Sequence, residues 1–95
     1  MSNNIERLAQ TLIEQNEKTK APFLDLGDCG LSDYSPEWDM LTSMNHLTGI
    51  NLGQYYYSNS KPVFTTNNLA HNFLTNIPRQ LPKSIKQLYI NLTSL

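Results

Sequence analysis

The chain is 95 residues long, 39% hydrophobic and 16% charged, with a formal net charge of -1. That length suits one small domain with a modest core, and a pI near 6.0 removes the electrostatic case for nucleic acid, which needs a basic face. No apolar run is long enough to span a membrane, no basic then apolar leader opens the chain, and a single cysteine, Cys29, excludes an intramolecular disulfide and fits a reducing, cytoplasmic setting.

In chain order, Ile5, Leu8, Leu12 and Ile13 fall on one helical face, with Asn3 and Glu6 spaced as a capping box. The pattern predicts a helix over about 3–17, ended by polar residues and by Pro22. Leu24 and Leu26 then alternate as a short strand, followed by a turn at Gly27 to Gly30. Ser35-Pro36-Glu37 has the form of a helix start, with Ser as cap and Pro first in the helix, and Trp38, Leu41 and Met44 continue on one face toward a core. A second strand is expected at 49–52, a tyrosine-rich loop at 53–62, and further strands near 66–69 and 87–90. Ile77-Pro78 and Leu81-Pro82 forbid regular helix between the last two.

The same positions carry a repeat of the form L-x-x-L-x-L-x-x-N/C-x-L. Residues 21–31 place Leu24, Leu26, Cys29 and Leu31 in it; 47–57 place Leu47, Ile50 and Leu52; 64–74 place Phe64, Leu69, Asn72 and Leu74; 85–95 place Ile85, Leu88, Ile90 and Leu95. The intervals between starts are 26, 17 and 21 residues, against about 20–29 for such repeats. The junction between the second and third is therefore irregular or misaligned. A second register competes with the first, because Leu74-Thr75-Asn76-Ile77 echoes Leu92-Thr93-Ser94-Leu95 at 18 residues.

The phrase LTNIPRQLPKSIKQL at 74–88, with FLDLGDCGL at 23–31, resembles bacterial leucine-rich-repeat proteins and is similar to the FNIP-type variant. The resemblance implies an α/β leucine-rich-repeat solenoid with an N-terminal capping helix at 1–20. About three to four short parallel strands would follow over 21–95, divided as 21–46, 47–63, 64–84 and an incomplete 85–95. In such a fold the leucines stack inward, and a short polar side chain at the Asn or Cys position bonds backbone groups that face the interior. Asn72 suits that task, and Cys29 fills it weakly through its thiol. No capping unit follows Leu95. The last repeat is therefore expected to continue past the chain, lie exposed, or pair with another subunit.

Chemistry-bearing residues are sparse. Cys29 has no Ser/His/Asp set around it in the sequence, His46 and His71 lack metal-ligand spacing, and Asp25 with Asp28 reads as exposed strand face and not as an acid–base pair. Asn91-Leu92-Thr93 has the form of a glycosylation sequon, and with no leader in view it reads as coincidence. Tyr55-Tyr56-Tyr57 suits an interface, although Tyr55 and Tyr57 also fit inward repeat positions, which would leave Tyr56 outward. The expectation is therefore a binding protein, not an enzyme, with no cofactor and no metal. It would recognise a protein partner, and neither nucleic acid nor membrane, through the concave strand face: Phe23, Asp25, Asp28, Asn51, Gln54, Tyr56, Asn68, His71, Gln87 and Tyr89. Self-association through the C-terminal edge is the other contact expected. The alternative is a recognition segment of a larger bacterial effector or signalling enzyme whose catalytic domain lies outside this chain.

Overall fold

Helical periodicity persists from Leu8, and a computed structural model, which describes residues 8–92, forms helix α1 at Leu8–Thr19. Ile5 and the Asn3/Glu6 cap lie outside the described residues. The most buried line of α1 is Ala9, Ile13 and Asn16, with Leu8 and Leu12 half-buried beside it. Asn16 is buried because its amide is fully used. Its Nδ2 donates to the carbonyls of Ala21 and Phe23, and its Oδ1 pairs with His46 Nε2. The helix closes at Lys20, whose left-handed φ of 57° lets its N–H reach the Asn16 carbonyl at 2.7 Å.

Three short strands follow the alternating leucines: β1 (Phe23–Asp25), β2 (Gly49–Asn51) and, far along the chain, β5 (Gln87–Tyr89). They form one parallel sheet in the order β1-β2-β5. Leu24, Ile50 and Leu88 stand side by side in register, as the repeat alignment predicts. Between β1 and β2 the chain returns through α2 (Trp38–Leu41). Ser35 does not cap α2; its Oγ accepts the Ser32 N–H, and Glu37 occupies the capping position without a side-chain bond. Trp38 is buried and donates its indole N–H to the Ser32 carbonyl at 2.8 Å. With Leu26, Leu31, Leu41, Met44, Leu47, Leu52 and Leu74 it builds the core under the sheet.

The four-repeat solenoid is not what forms. The expected loop at 53–62 is instead an antiparallel hairpin, β3 (Tyr55–Ser58) with β4 (Lys61–Phe64), turned by Asn59 and Ser60, both with positive φ. Lys61-Pro62, at the end of that expected loop, falls inside β4, because a two-stranded ribbon leaves each strand an open side where a missing N–H costs nothing. The expected strand at 66–69 is absent. After the hairpin the chain runs beside the first return path, with Ala70 bridged to Cys29 and Phe73 to Ser32. Residues 64–74 therefore complete the layer that β2 begins and do not start a layer of their own. This accounts for the 17-residue interval: the hairpin is an insertion within one layer. Leu74 bridges Leu92 in parallel, the pair that the 18-residue echo aligns. The result is a three-stranded parallel sheet and a two-stranded antiparallel one, with two helices, among the described residues.

Asn72 joins the layers. Its Oδ1 accepts the N–H groups of Cys29 (3.2 Å) and Leu31 (2.8 Å), and its Nδ2 donates to the carbonyls of Leu26 (3.1 Å) and Leu52 (2.8 Å). Farther along, Asp33 accepts the Thr75 N–H at 3.0 Å and bonds its hydroxyl, which holds the carboxyl below the usual carboxylate range. The turn after β1 is held by Gly27. A Cβ there would stand 2.2 Å from the Gly53 carbonyl oxygen, a clash with backbone that no rotamer relieves.

Two outcomes follow for stability. Asn72→Ala orphans four backbone groups and should cost about 3 kcal/mol or more, read as a lower urea midpoint; Gly27→Ala should cost a comparable amount. The Asp33 carboxyl is depressed on folding, so its contribution is fully present above its unfolded value near about 4 and is lost as pH falls through the folded value. Acid titration of melting temperature below about pH 4 should therefore fall less steeply in Asp33→Asn than in the parent chain.

Candidate protein-interaction surface

The outer side of the sheet is built from residues that alternate with the buried leucines. Phe23, Gly49 and Gln87 share one register row, and Asp25, Asn51 and Tyr89 share another. Gly49 is the low point of the first row: a Cβ on it would lie 2.9 Å from the Phe23 ring. The missing side chain lets Phe23 lie over β2. Tyr56 of the hairpin comes down onto this spot, with its ring centroid 4.7 Å from that of Phe23 and 6.2 Å from that of Tyr89. The Tyr89 hydroxyl donates to the Tyr57 carbonyl at 3.3 Å. The hairpin is thus docked across the sheet by aromatic contacts.

Strand alternation then sends the neighbouring rings outward. Tyr55 pairs in register with Phe64, and their centroids are 5.5 Å apart; Tyr57 lies edge-on to Tyr55 at 5.7 Å. Tyr55, Tyr57 and Phe64 are 36%, 51% and 68% exposed, while Tyr56 is half-buried. Of the two readings the sequence leaves open, the one that puts Tyr55 and Tyr57 inward and only Tyr56 outward is reversed, and the outward tyrosines are Tyr55 and Tyr57. Six rings run in unbroken contact from Phe64 through Tyr55, Tyr57, Tyr89 and Tyr56 to Phe23. Phe64, Tyr55 and Tyr57 are absent from the expected site. Two runs rich in strand-favouring residues, Tyr55-Tyr56-Tyr57 and Val63-Phe64, on either side of the turn-prone Asn59-Ser60 were the signal for them.

Asn51 is removed from the surface. It is fully buried, its Nδ2 donating to Asp25 Oδ1 at 2.9 Å and its Oδ1 accepting the Gly53 N–H at 3.0 Å. Asp25 is half-buried and also accepts the Gly27 N–H, so its carboxylate holds the turn. Gln87 is exposed at the end of the Phe23 row. Asp28, Gln54 and His71 gather at a second, polar point, with Asn68 exposed beside them. His71 Nδ1 lies 3.0 Å from Asp28 Oδ1 and 3.3 Å from Gln54 Nε2. One ring nitrogen cannot donate to the first and accept from the second, and an ionised carboxylate only accepts, so Nδ1–H faces Asp28. His71 is largely exposed, so this pair adds little to stability.

The thiol of Cys29 is buried and donates to the Gly27 carbonyl. Burial, helped by the charges of Asp25, Asp28 and Glu37, pushes its pKa up to about 12. A thiol held protonated at neutral pH is a poor nucleophile. Among the described residues no group of three or more His, Cys, Asp or Glu side chains is placed to hold a metal, and no helix is long and apolar enough to cross a membrane. No family model matches the chain, nor does any curated protein or solved structure.

Tyr56 is the ring that pins the hairpin, and removing it should free that element alone. Tyr56→Ala is expected to cost about 1–3 kcal/mol. Hydrogen exchange should speed up across residues 55–64 while the amides of β1 and β2 stay protected.

Proposed function

We propose that the chain is a protein-recognition module whose contact surface is the outer face of the sheet together with the exposed side of the hairpin. The supporting observation is the continuous row of six aromatic rings, whose hairpin end is open to solvent. Tyrosine and phenylalanine offer large contact area at low entropic cost. Here the base of the row is fixed by packing, so little order remains to be imposed on binding. Gln87 at the sheet edge and the Asp28–His71–Gln54 group supply polar contacts around an apolar centre, the usual division of an interface. Asn51 and Asp25 act beneath the surface and hold the turns that carry it. A cytoplasmic setting belongs to the same proposal, supported by a lone cysteine kept as a free, buried thiol.

Tyr57→Ala with Phe64→Ala removes the two most exposed rings of the hairpin and leaves Tyr56 docked, so melting should change little. An affinity capture from lysate with the parent chain, repeated with this double variant, tests the proposal. Proteins retained by the parent should be lost by the variant at unchanged fold. An identical retained set in both would show that the aromatic face is not the contact surface.

A further inference from the structure

The two edges of the parallel sheet are finished differently. On β1, the carbonyls that do not serve β2 are already used: Phe23 accepts from the Asn16 amide and Asp25 from the Asn67 amide. On β5, one side faces β2, through the Gln87 N–H to Thr48 and the Tyr89 carbonyl to Leu52. Strand alternation turns the N–H and C=O of Leu88 the other way, and among the described residues no strand pairs there. The core opens at the same edge. Ile50 and Leu52 are fully buried, whereas their β5-side counterparts Leu88 and Ile90 are half-buried, and Leu92 is 50% exposed beside Leu74 at 0%.

Charge says what fits. All eight acidic residues of the chain lie at or before Asp39, and the four basic residues beyond it have no acidic neighbour in sequence. Three of those four, Arg79, Lys83 and Lys86, are exposed on the segment that leads into β5. Arg79 shares a cleft of about 580 Å³ with Ile77 and Leu92; Asp33 on its wall is engaged by Thr75. We propose that the open edge of β5 receives an extended acidic–apolar segment of a partner protein, which adds as a fourth strand with its carboxylates against Arg79, Lys83 and Lys86. Main-chain bonds to the edge supply affinity and alternate side chains supply selectivity. A second copy of this chain is a poorer occupant. Antiparallel pairing of β5 with itself sets these cations against their own counterparts, and the finished edge of β1 offers no strand for head-to-tail growth. This site shares β5 with the aromatic face, since Gln87 and Tyr89 lie on that strand, but it uses the main-chain edge at Leu88 and does not need the exposed rings of the hairpin.

The test uses the full 95-residue chain, isotopically labelled and titrated with a capped peptide of about ten residues that alternates Glu and Val. The control replaces every Glu by Lys. The Glu peptide should shift the amides of 86–90 and slow exchange of the Leu88 N–H. Its affinity should fall about tenfold in Lys83→Glu/Lys86→Glu and fall with added salt. Both substitutions are at exposed positions, so an unchanged melting curve verifies the fold. Tyr57→Ala should leave this binding unaltered, which separates failure here from failure of the aromatic surface. The proposal is overturned if the Glu peptide does not bind at millimolar concentration, if the Lys peptide binds equally, or if the shifts fall on 55–64. It is also overturned if sedimentation shows a dimer whose Leu88 N–H is protected before any peptide is added.

Discussion

Four backbone groups converge on the side-chain amide of Asn72, three from the turn after β1 and one from the end of β2. Each lies where the chain leaves a strand and points into the interior, out of reach of the regular ladder. A buried N–H or C=O without a partner costs more than most contacts return. The turns can therefore close only if some short polar side chain reaches all four. A primary amide has two donor hydrogens and an oxygen with two lone pairs, and Asn72 uses all of them. Because it sits on the stretch that follows the hairpin, it also fixes where that stretch must return, beside residues 29–32.

This constraint makes the hairpin an insertion. The chain leaves the sheet after Leu52 and must be back in position by Asn72. The residues between cannot form another layer and instead fold outward as a self-paired ribbon. Tyr56 then ties the ribbon to the sheet through Phe23, where Gly49 leaves room. The surface row of rings follows from one internal amide and one missing side chain. Asp25 and Asn51 show the same economy: polar residues of the strand face bind each other and the turn glycines, and so hold the platform on which the aromatics lie.

Burial falls off in one direction across the molecule. The helix α1 and the side-chain amides of Asn16 and Asn67 finish the β1 edge, and the middle strand is covered on both sides. Among the described residues the β5 edge has only one neighbour, so its leucine and the isoleucine that follows keep partial contact with water. The uneven spread of charge along the sequence is carried into space by this topology, because the acid-free half supplies the open edge. Edge strands are commonly guarded by cations, and here that guard also sets the charge that a partner strand must bring.

The sequence by itself determined the local patterns and their neighbours in register. The helical face from Leu8, the alternation at Leu24–Leu26 and the burial of Trp38 were legible from periodicity, whereas the alignment of Leu24 with Ile50 and Leu88 and the bonding task of Asn72 were legible only through the repeat pattern and the resemblance it carries. Tertiary structure alone decided that 55–64 pairs with itself, that residues 64–74 run back beside residues 29–32 and start no strand of their own, and that Tyr56 turns inward while Tyr55 and Tyr57 turn out. It also decided that Asn51 is buried. The reason is that a period-two pattern fixes which residues share a face but not which face meets the core. That choice was made by the distant contacts of Asn72 and Phe23, which no local window of sequence contains.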